Sequence, residues 1–430
     1  LSPRRPRTPP KKSSLPKFYT KGSGHGMGRT LSNIPLPALP TSPTSPSWPS
    51  GHVTLEQFSQ LADQPLPGYF TPCVYESVGR PVTLQTWTEW REKNCAWDLG
   101  EVFFRSLSSN GQYITPSDLK PLLRSLLATH PGLSFLSSHA EFQEKYCVTV
   151  ITRVFYETDP LHMGRLTRRM VRRRKLWEPF LAVADEDDIN KVTQFFSYEH
   201  FYVLYCRFWE LDTDRDYKIG KEDLMRYADH SLSGMVVDAV FSRGPRPFGR
   251  ERGGAEMSYE DFIYFMLSEE DKQSPPSIRY WLTTLSSTSD GYLPLPDMRS
   301  FYSVQASRML QLGHEVVPFE DVLCQMYDLI NPSRPQRGVC ESDLVQPHCD
   351  RVSGAIFDAL FNLNKHLQFE SRDPFLERSK REDEFETDWD RHACVDYNRL
   401  AMEEEQREEE RREMEKMRPA PPPLVPLVPP

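Results

Sequence analysis

The tightest constraint on this chain is a run of carboxylates at alternate positions, Asp212, Asp214 and Asp216, with a fourth at Asp223. Ahead of it, Phe201, Tyr205, Phe208 and Trp209 recur at helical spacing, and Leu224 and Tyr227 open a second apolar stripe behind it. Crowded carboxylates need a cation, and each apolar stripe needs a partner. The segment is therefore committed to a helix–loop–helix unit around a hard divalent ion, which takes six to eight oxygens from one short loop. Numbered from Asp212, the expected Ca2+ ligands are Asp212, Asp214 and Asp216 at positions 1, 3 and 5, the main-chain carbonyl of Lys218 at 7, and Asp223 at 12. Gly220 at position 9 leaves that ligand to water, and Ile219 at position 8 suits a short strand pairing two such loops. Two departures weaken the loop. Tyr217 stands at position 6, where a left-handed backbone costs an L-residue about 1–2 kcal/mol. Asp223 is one methylene shorter than the usual Glu.

Remnants of the same loop recur at a spacing near one helix–loop–helix length. Glu256–Phe262 resembles the back half of a loop whose positions 1 and 3 are Arg250 and Arg252. Ser286–Asp297 carries only Asp290 and Asp297 as carboxylates, so it is expected to fold without an ion. Gly338–Leu344, Ser106–Ser117 and Asp159–Met170 are weaker candidates. Long alternating runs are absent, so the expected fold is all-α, an elongated array of EF-hand-like units, mostly degenerate, with disordered tails. The expected partition is a basic, Pro/Ser-rich arm over 1–54 and an N-terminal helical lobe over 55–185. A C-terminal EF-hand lobe follows over 186–398, holding loops 212–223 and 286–297, and then a charged helix and Pro-rich tail over 399–430.

Composition bears on the tails and the compartment. Residues 1–55 hold eight Lys or Arg and no Asp or Glu, so with a net charge of −9 the remainder carries −9 − 8 = −17. Eleven of the 38 prolines fall in residues 1–50 and seven in 419–430, and neither end has apolar periodicity to offset ordering entropy. The eight cysteines form no C-x-x-C pair, as expected for reduced thiols in the cytoplasm or nucleus. Cys340, His348 and Cys349 do not match the spacing of a common zinc site. No apolar run is long enough to span a bilayer, and neither a membrane nor a nucleic-acid partner is expected.

The residues around the acidic loop also carry a resemblance. The block from Asp188-Ile-Asn190 through Phe195–Asp214 is similar to the B-double-prime regulatory subunits of protein phosphatase 2A. So are Thr129–Phe135, Ser268–Lys272 with Ile278–Trp281, Leu323–Met326, Arg372–Phe375 with Asp388–Arg391, and the short Leu15–Tyr19. The likeness covers roughly residues 120–395 and keeps its order. It implies a non-catalytic subunit that binds the phosphatase scaffold and catalytic subunits, selects phosphoprotein substrates and responds to calcium. It also implies two calcium loops. Asp212, Asp214, Asp216, Lys218 and Asp223 match the first, whereas Ser286–Asp297 lacks the acidic residues at positions 1 and 3 of the second.

The alternative is a calcium-responsive EF-hand scaffold or cytoskeletal adaptor without phosphatase binding. No metalloprotease, P-loop, nucleophile-elbow or kinase motif is present, so no enzyme is expected. The basic run Arg165–Lys175 suits an acidic or phosphate-bearing partner, or else a solvated face balanced by Asp185–Asp188. Ser2, Thr8, Ser42 and Ser45 precede prolines as candidate phosphorylation sites. Glu403–Lys416 alternates charge at helical spacing without an apolar stripe, as a solvent-exposed helix does.

Overall fold

The computed structural model describes residues 48–49, 51–62, 66–94, 98–349, 352–371 and 385–416. Most of the basic arm, the Pro-rich end, and the Leu15–Tyr19 and Arg372–Phe375 segments lie outside them. Three helices come first: α1 (Leu55–Leu61), α2 (Thr71–Val78) and α3 (Leu84–Asn94). Helix–strand–helix units then follow in pairs, each pair joined by a two-residue antiparallel ladder. The first pair is α4 (Leu99–Leu107), β1 (Tyr113–Ile114) and α5 (Pro116–Thr129) with α6 (Ala140–Thr158), β2 (Leu166–Thr167) and α7 (Arg168–Arg173). After α8 (Trp177–Asp185) comes the second: α9 (Tyr198–Leu211), β3 (Ile219–Gly220) and α10 (Lys221–Met225) with α11 (Gly234–Arg243), β4 (Glu256–Met257) and α12 (Tyr259–Glu270). The third is α13 (Pro275–Leu285), β5 (Tyr292–Leu293) and α14 (Leu295–Gln311) with α15 (Phe319–Ile330), β6 (Val339–Cys340) and α16 (Glu341–Leu344). Helices α17 (Val352–Phe361), α18 (Leu363–Ser371) and α19 (Asp388–Lys416) complete the described chain. The fold is all-α, and among the described residues its strands serve only to pair loops.

Strand register fixes the loop numbering. Ile219 faces Met257, Ile114 faces Leu166 and Leu293 faces Val339, so each is position 8 of its loop. The first loop is therefore Leu107–Asp118, one residue later than the expected Ser106–Ser117. A shift of one would turn the apolar Ile114 out of the core, where it is fully buried. The acidic loop at Asp212 pairs with the arginine-bearing loop before α12, while Ser286–Asp297 pairs with the loop before α16. In that last pair, Gly338 lets two backbones meet, since a Cβ there would sit 2.0 Å from the Leu293 carbonyl oxygen.

Five of the six loops end on aspartate, and helix capping explains why. Position 12 is the third residue of the outgoing helix, where a carboxylate can accept from the backbone N–H at position 9. Asp118 does so from Thr115 at 2.7 Å, Asp223 from Gly220 at 2.7 Å, Asp261 from Ser258 at 2.9 Å and Asp343 from Cys340 at 3.1 Å. Pro294 has no N–H to offer, and Asp297 accepts from Ser287 N–H at 2.6 Å instead. The position-12 aspartate is thus a helix cap in loops that hold no other ligand set.

Helix α6 ties the segment before residue 185 to the rest. The Tyr146 hydroxyl donates to the Phe196 carbonyl at 2.6 Å, and the Arg153 guanidinium donates to the carbonyls of Phe195 and Thr193 at 3.0 and 2.8 Å. The hydroxyls of Thr149 and Tyr259 meet at 2.9 Å, as do those of Tyr156 and Ser268. The other expected boundary, at 398/399, falls inside α19. That helix begins at Asp388 and lays Trp389, Ala393, Leu400 and Glu404, all buried, along α9. The apolar stripe sits upstream of the charged stretch, which is why Glu403–Lys416 alone reads as fully solvated. Beyond Glu404 the helix does run exposed, with Arg407 to Glu403 at 3.2 Å and Arg412 to Glu408 at 3.8 Å.

Candidate metal centre

Helix α9 delivers the acidic loop. Ser197 caps its start, its hydroxyl oxygen accepting from His200 N–H at 3.4 Å, and Asp212 follows its last turn. Phe208 packs edge-on to Tyr259 at 5.2 Å and to Phe262 at 5.6 Å, fixing α9 against α12. Asp212, Asp214 and Asp216 then each place a carboxylate oxygen within 4.8 Å of the others. Asp212 is buried while Asp214 and Asp216 face solvent. No other set of three such ligands converges among the described residues.

Backbone donors pre-shape this cluster. Asp212 accepts from Asp216 N–H at 3.2 Å and Tyr217 N–H at 3.0 Å, and Asp216 accepts from Lys218 N–H at 2.8 Å. Burial pushes the Asp212 carboxyl above its ordinary range, and the nearby carboxylates of Asp214 and Asp216 add to the rise against the backbone donors. A bound cation would relieve that crowding. The Lys218 side chain pairs with Glu256 across the strands, so the ligand it can offer is its main-chain oxygen.

Asp223 is placed differently. One oxygen caps Gly220, and the other is 2.6 Å from the Arg226 guanidinium. It borders the cluster without joining it. Arg226 escaped the sequence reading, although its place three residues after Asp223 is a helical ion-pair spacing.

Tyr217 does adopt the left-handed backbone expected at position 6, with φ of 67°, and Arg215 does so at 64°. Its ring offsets the strain. It packs edge-on to Trp209 at 4.9 Å, under the Lys145 ammonium at 5.3 Å, and Lys145 also lies 5.1 Å over Tyr259. Such contacts are worth about 0.5–1.5 kcal/mol each, comparable to the backbone penalty. The position-6 residue is therefore tied to α9 and α6.

The companion loops are self-satisfied. In the loop that pairs with the acidic one, Arg246 and Arg250 each lie 3.1 Å from the Asp261 carboxylate, so guanidinium groups occupy the electrostatic role of an ion. In Ser286–Asp297, the Ser286 hydroxyl donates to the Tyr292 carbonyl at 2.7 Å, and the Thr288 hydroxyl donates to Asp290 at 2.7 Å. That hydroxyl, with the Arg337 guanidinium at 2.7 Å, pulls the Asp290 carboxyl down to about 2. Arg337 comes from the paired loop and stacks 4.2 Å over Tyr292. The donor set here does not fit a calcium ion, whereas that of Asp212–Asp223 does.

Helix α19 clamps the incoming helix. Arg207 forms a two-pronged bridge to Asp396 at 2.6 and 2.5 Å, and the Tyr202 hydroxyl donates to Glu404 at 2.9 Å. Trp389 donates its indole N–H to His200 at 3.2 Å, and burial holds that imidazole neutral by lowering its pKa. The cysteines and histidine considered as zinc ligands have other partners. The Cys340 thiol donates to the Asp343 carboxylate at 3.1 Å, the Cys349 thiol to the Asp343 carbonyl at 3.3 Å, and His348 meets the Ile330 carbonyl at 3.1 Å.

The chain is similar to known proteins over much of its length. The family model for an EF-hand domain matches residues 98–186, the first pair of units and α8. The chain is 45% identical over 305 residues to the probable B''delta regulatory protein of serine/threonine protein phosphatase 2A from Arabidopsis thaliana, covering 71% of this chain and 56% of that one. It is 38% identical over 415 residues to the probable B''epsilon counterpart of the same plant, covering 94% and 76%. The human B''alpha counterpart is 39% identical over 297 residues, 69% of this chain and 26% of that one. The chain thus spans about half the length of the first of these relatives. Among solved structures, a chain described as belonging to a PP2A PR70 holoenzyme, diCa, aligns with a TM-score of 0.58 at 38% identity, over 63% of this chain and 99% of its own.

Proposed function

The chain belongs to the B-double-prime family of protein phosphatase 2A regulatory subunits, and from that membership we propose that it binds the phosphatase scaffold and catalytic subunits, directs substrate choice among phosphoproteins, and is modulated by Ca2+. The observation that carries the calcium reading is the convergence of the Asp212, Asp214 and Asp216 carboxylates within one loop. These three carboxylates, that of Asp223 and the Lys218 carbonyl would hold the ion, which supplies positive charge to a loop that otherwise crowds its own negative charge.

The chain's own residues suggest how such a signal spreads. The loop is bounded by α9, which α19 grips through Arg207, Tyr202 and His200. It continues into α10, after which the Tyr227 hydroxyl donates to Glu270. Glu270 also meets Lys365 of α18 at 2.9 Å and His392 of α19 at 3.0 Å. A change in loop stiffness therefore reaches α12, α18 and α19 through hydrogen-bonded contacts. A cytoplasmic or nuclear setting is part of the same proposal.

The test is capture of purified scaffold and catalytic subunits by the full chain, with Ca2+ and with chelator. Binding that changes on chelation supports the proposal. Absence of binding in both conditions, with the calcium response of the chain intact, overturns it in favour of a calcium-responsive adaptor.

A further inference from the structure

Residues 165–175 contain seven Arg or Lys and no Asp or Glu. One side of this run is accounted for by packing. Val171 is buried, Arg168 lies 5.2 Å over Phe104 with its Nε 3.2 Å from Glu101, and Arg172 pairs with Asp98. The balancing acids are thus on and beside α4, and not Asp185–Asp188 as the sequence suggested. Lys175 pairs with Glu178 at 3.0 Å.

The other side is less balanced. Arg169, Arg173 and Arg174 are exposed, and no carboxylate lies within ion-pair distance of them among the described residues, although Arg174 is near enough to Glu157 to pull its carboxyl pKa down. Arg169 and Arg173 are four residues apart on one helix, an arrangement that is destabilising when both are cationic. Helix α19 shows the usual remedy in this same chain, with Arg399, Arg407 and Arg412 each set four residues from a glutamate. A solvated face needs no such concentration of one sign. On a body whose remainder after residue 55 sums to −17, it makes a local positive island that focuses anionic ligands.

The chemistry of the island narrows the ligand. Six of the seven cations are arginine, whose planar fork matches phosphate oxygens in pairs. No aromatic side chain lies within 165–175 to stack bases, which disfavours single-stranded nucleic acid. Leu161 and Met163, 77% and 54% exposed, precede Arg165 in the same loop and are isolated apolar side chains at the surface. Two isolated side chains suit a peptide better than a membrane surface, which needs a continuous apolar stripe.

We propose that the exposed arginines of α7 and its C-terminal turn, Arg169, Arg173 and Arg174, form a docking surface for an acidic protein segment bearing phosphoserine or phosphothreonine. This deepens, and rests on, the reading of the chain as a subunit that selects phosphoproteins. The segment held here would be recognised by charge, apart from any group presented to a catalytic partner.

The test uses the full chain without phosphatase subunits. A fluorescent, doubly phosphorylated acidic peptide is titrated by anisotropy, beside its unphosphorylated form, phosphatidylserine vesicles and a single-stranded oligonucleotide. The expected result is salt-sensitive binding of the phosphopeptide, weakened about tenfold or more by R169Q/R173Q/R174Q. The lysine triple R169K/R173K/R174K, which keeps the charge and the fold but not the fork, is expected to fall between. Equal affinity of wild type and both triples overturns the proposal, as does tighter binding to vesicles or oligonucleotide than to phosphopeptide. Scaffold capture by the same variants separates the two readings: peptide binding without scaffold binding sinks the regulatory-subunit proposal and leaves this one standing.

Discussion

The guanidinium of Arg226 sits 2.6 Å from the carboxylate of Asp223 and, with the same nitrogen, reaches the Leu211 carbonyl at 2.9 Å and the Thr213 hydroxyl at 3.2 Å. One side chain thereby spans both ends of the acidic loop. It holds the loop closed without an ion and competes with an ion for the position-12 ligand.

Replacing Arg226 by Gln removes the competing charge and keeps a hydrogen-bond donor. Calcium affinity is expected to rise by up to about fivefold, since one exposed ion pair is worth up to about 1 kcal/mol. Titration calorimetry of the variant measures this directly. Unchanged or weaker binding would show that Arg226 organises the loop more than it competes.

Calorimetry on the wild type is expected to give one ion per chain, bound without cooperativity, because both companion loops are internally satisfied. Asp212→Ala should abolish the Ca2+-induced rise in thermal stability, which for an ion at a hundred times its Kd is about 2.7 kcal/mol. Asp290→Asn should leave both the ion count and that rise intact. A stoichiometry of two overturns this account of Ser286–Asp297.

The bridge between Arg207 and Asp396 predicts that the last helix contributes to the stability of the calcium unit. Asp396→Ala leaves a half-buried guanidinium short of its two-pronged partner and is expected to cost about 1–3 kcal/mol in chemical denaturation. A double-mutant cycle with Arg207→Ala isolates the coupling, and additive effects would mean that α19 is held by its apolar stripe alone.

Stability is also expected to fall between about pH 4.5 and 7 through Glu157. Burial pushes its carboxyl up to about 7, against the opposing pull of Arg153, the Gln194 amide and Arg174. The folded state then holds a proton that the unfolded chain has released, so folding is favoured below this window and loses that advantage as pH rises through it. Glu157→Gln keeps the contact to Gln194, 3.2 Å away, and should flatten the slope, stabilising the protein at pH 8 by on the order of 1 kcal/mol after solvent screening. Parallel pH profiles for wild type and variant would refute this assignment.

What the sequence disclosed was local. Asp212, Asp214 and Asp216 are legible because their ligand geometry depends on a few consecutive residues, and Ile219 announces a strand because position 8 faces the core. The one-residue error in the first loop arose because a central Gly is expected at position 6, whereas the facing of Ile114 and Leu166 puts Gly111 at position 5. Asp223 shows a second limit. An aspartate at position 12 serves as ligand or as helix cap, and spacing cannot tell which. The partners of Arg207 and Tyr202 lie 189 and 202 residues away. Charge alternation in Glu403–Lys416 concealed a docked helix because the side chains that dock it, Trp389, Ala393 and Leu400, lie before that stretch.

That separation has a consequence for the order in which the molecule is made. On a translating ribosome α9 emerges long before α19, so Tyr202 and Arg207 wait for partners while some 202 and 189 further residues are synthesised, and His200 waits as long for Trp389. The acidic loop reaches its final surroundings only after Glu404 has left the exit tunnel. A nascent chain arrested before Asp388 is therefore expected to be cut by protease within α9, where the finished chain is protected. Synthesis of α19 is in this way written into the side of the calcium unit.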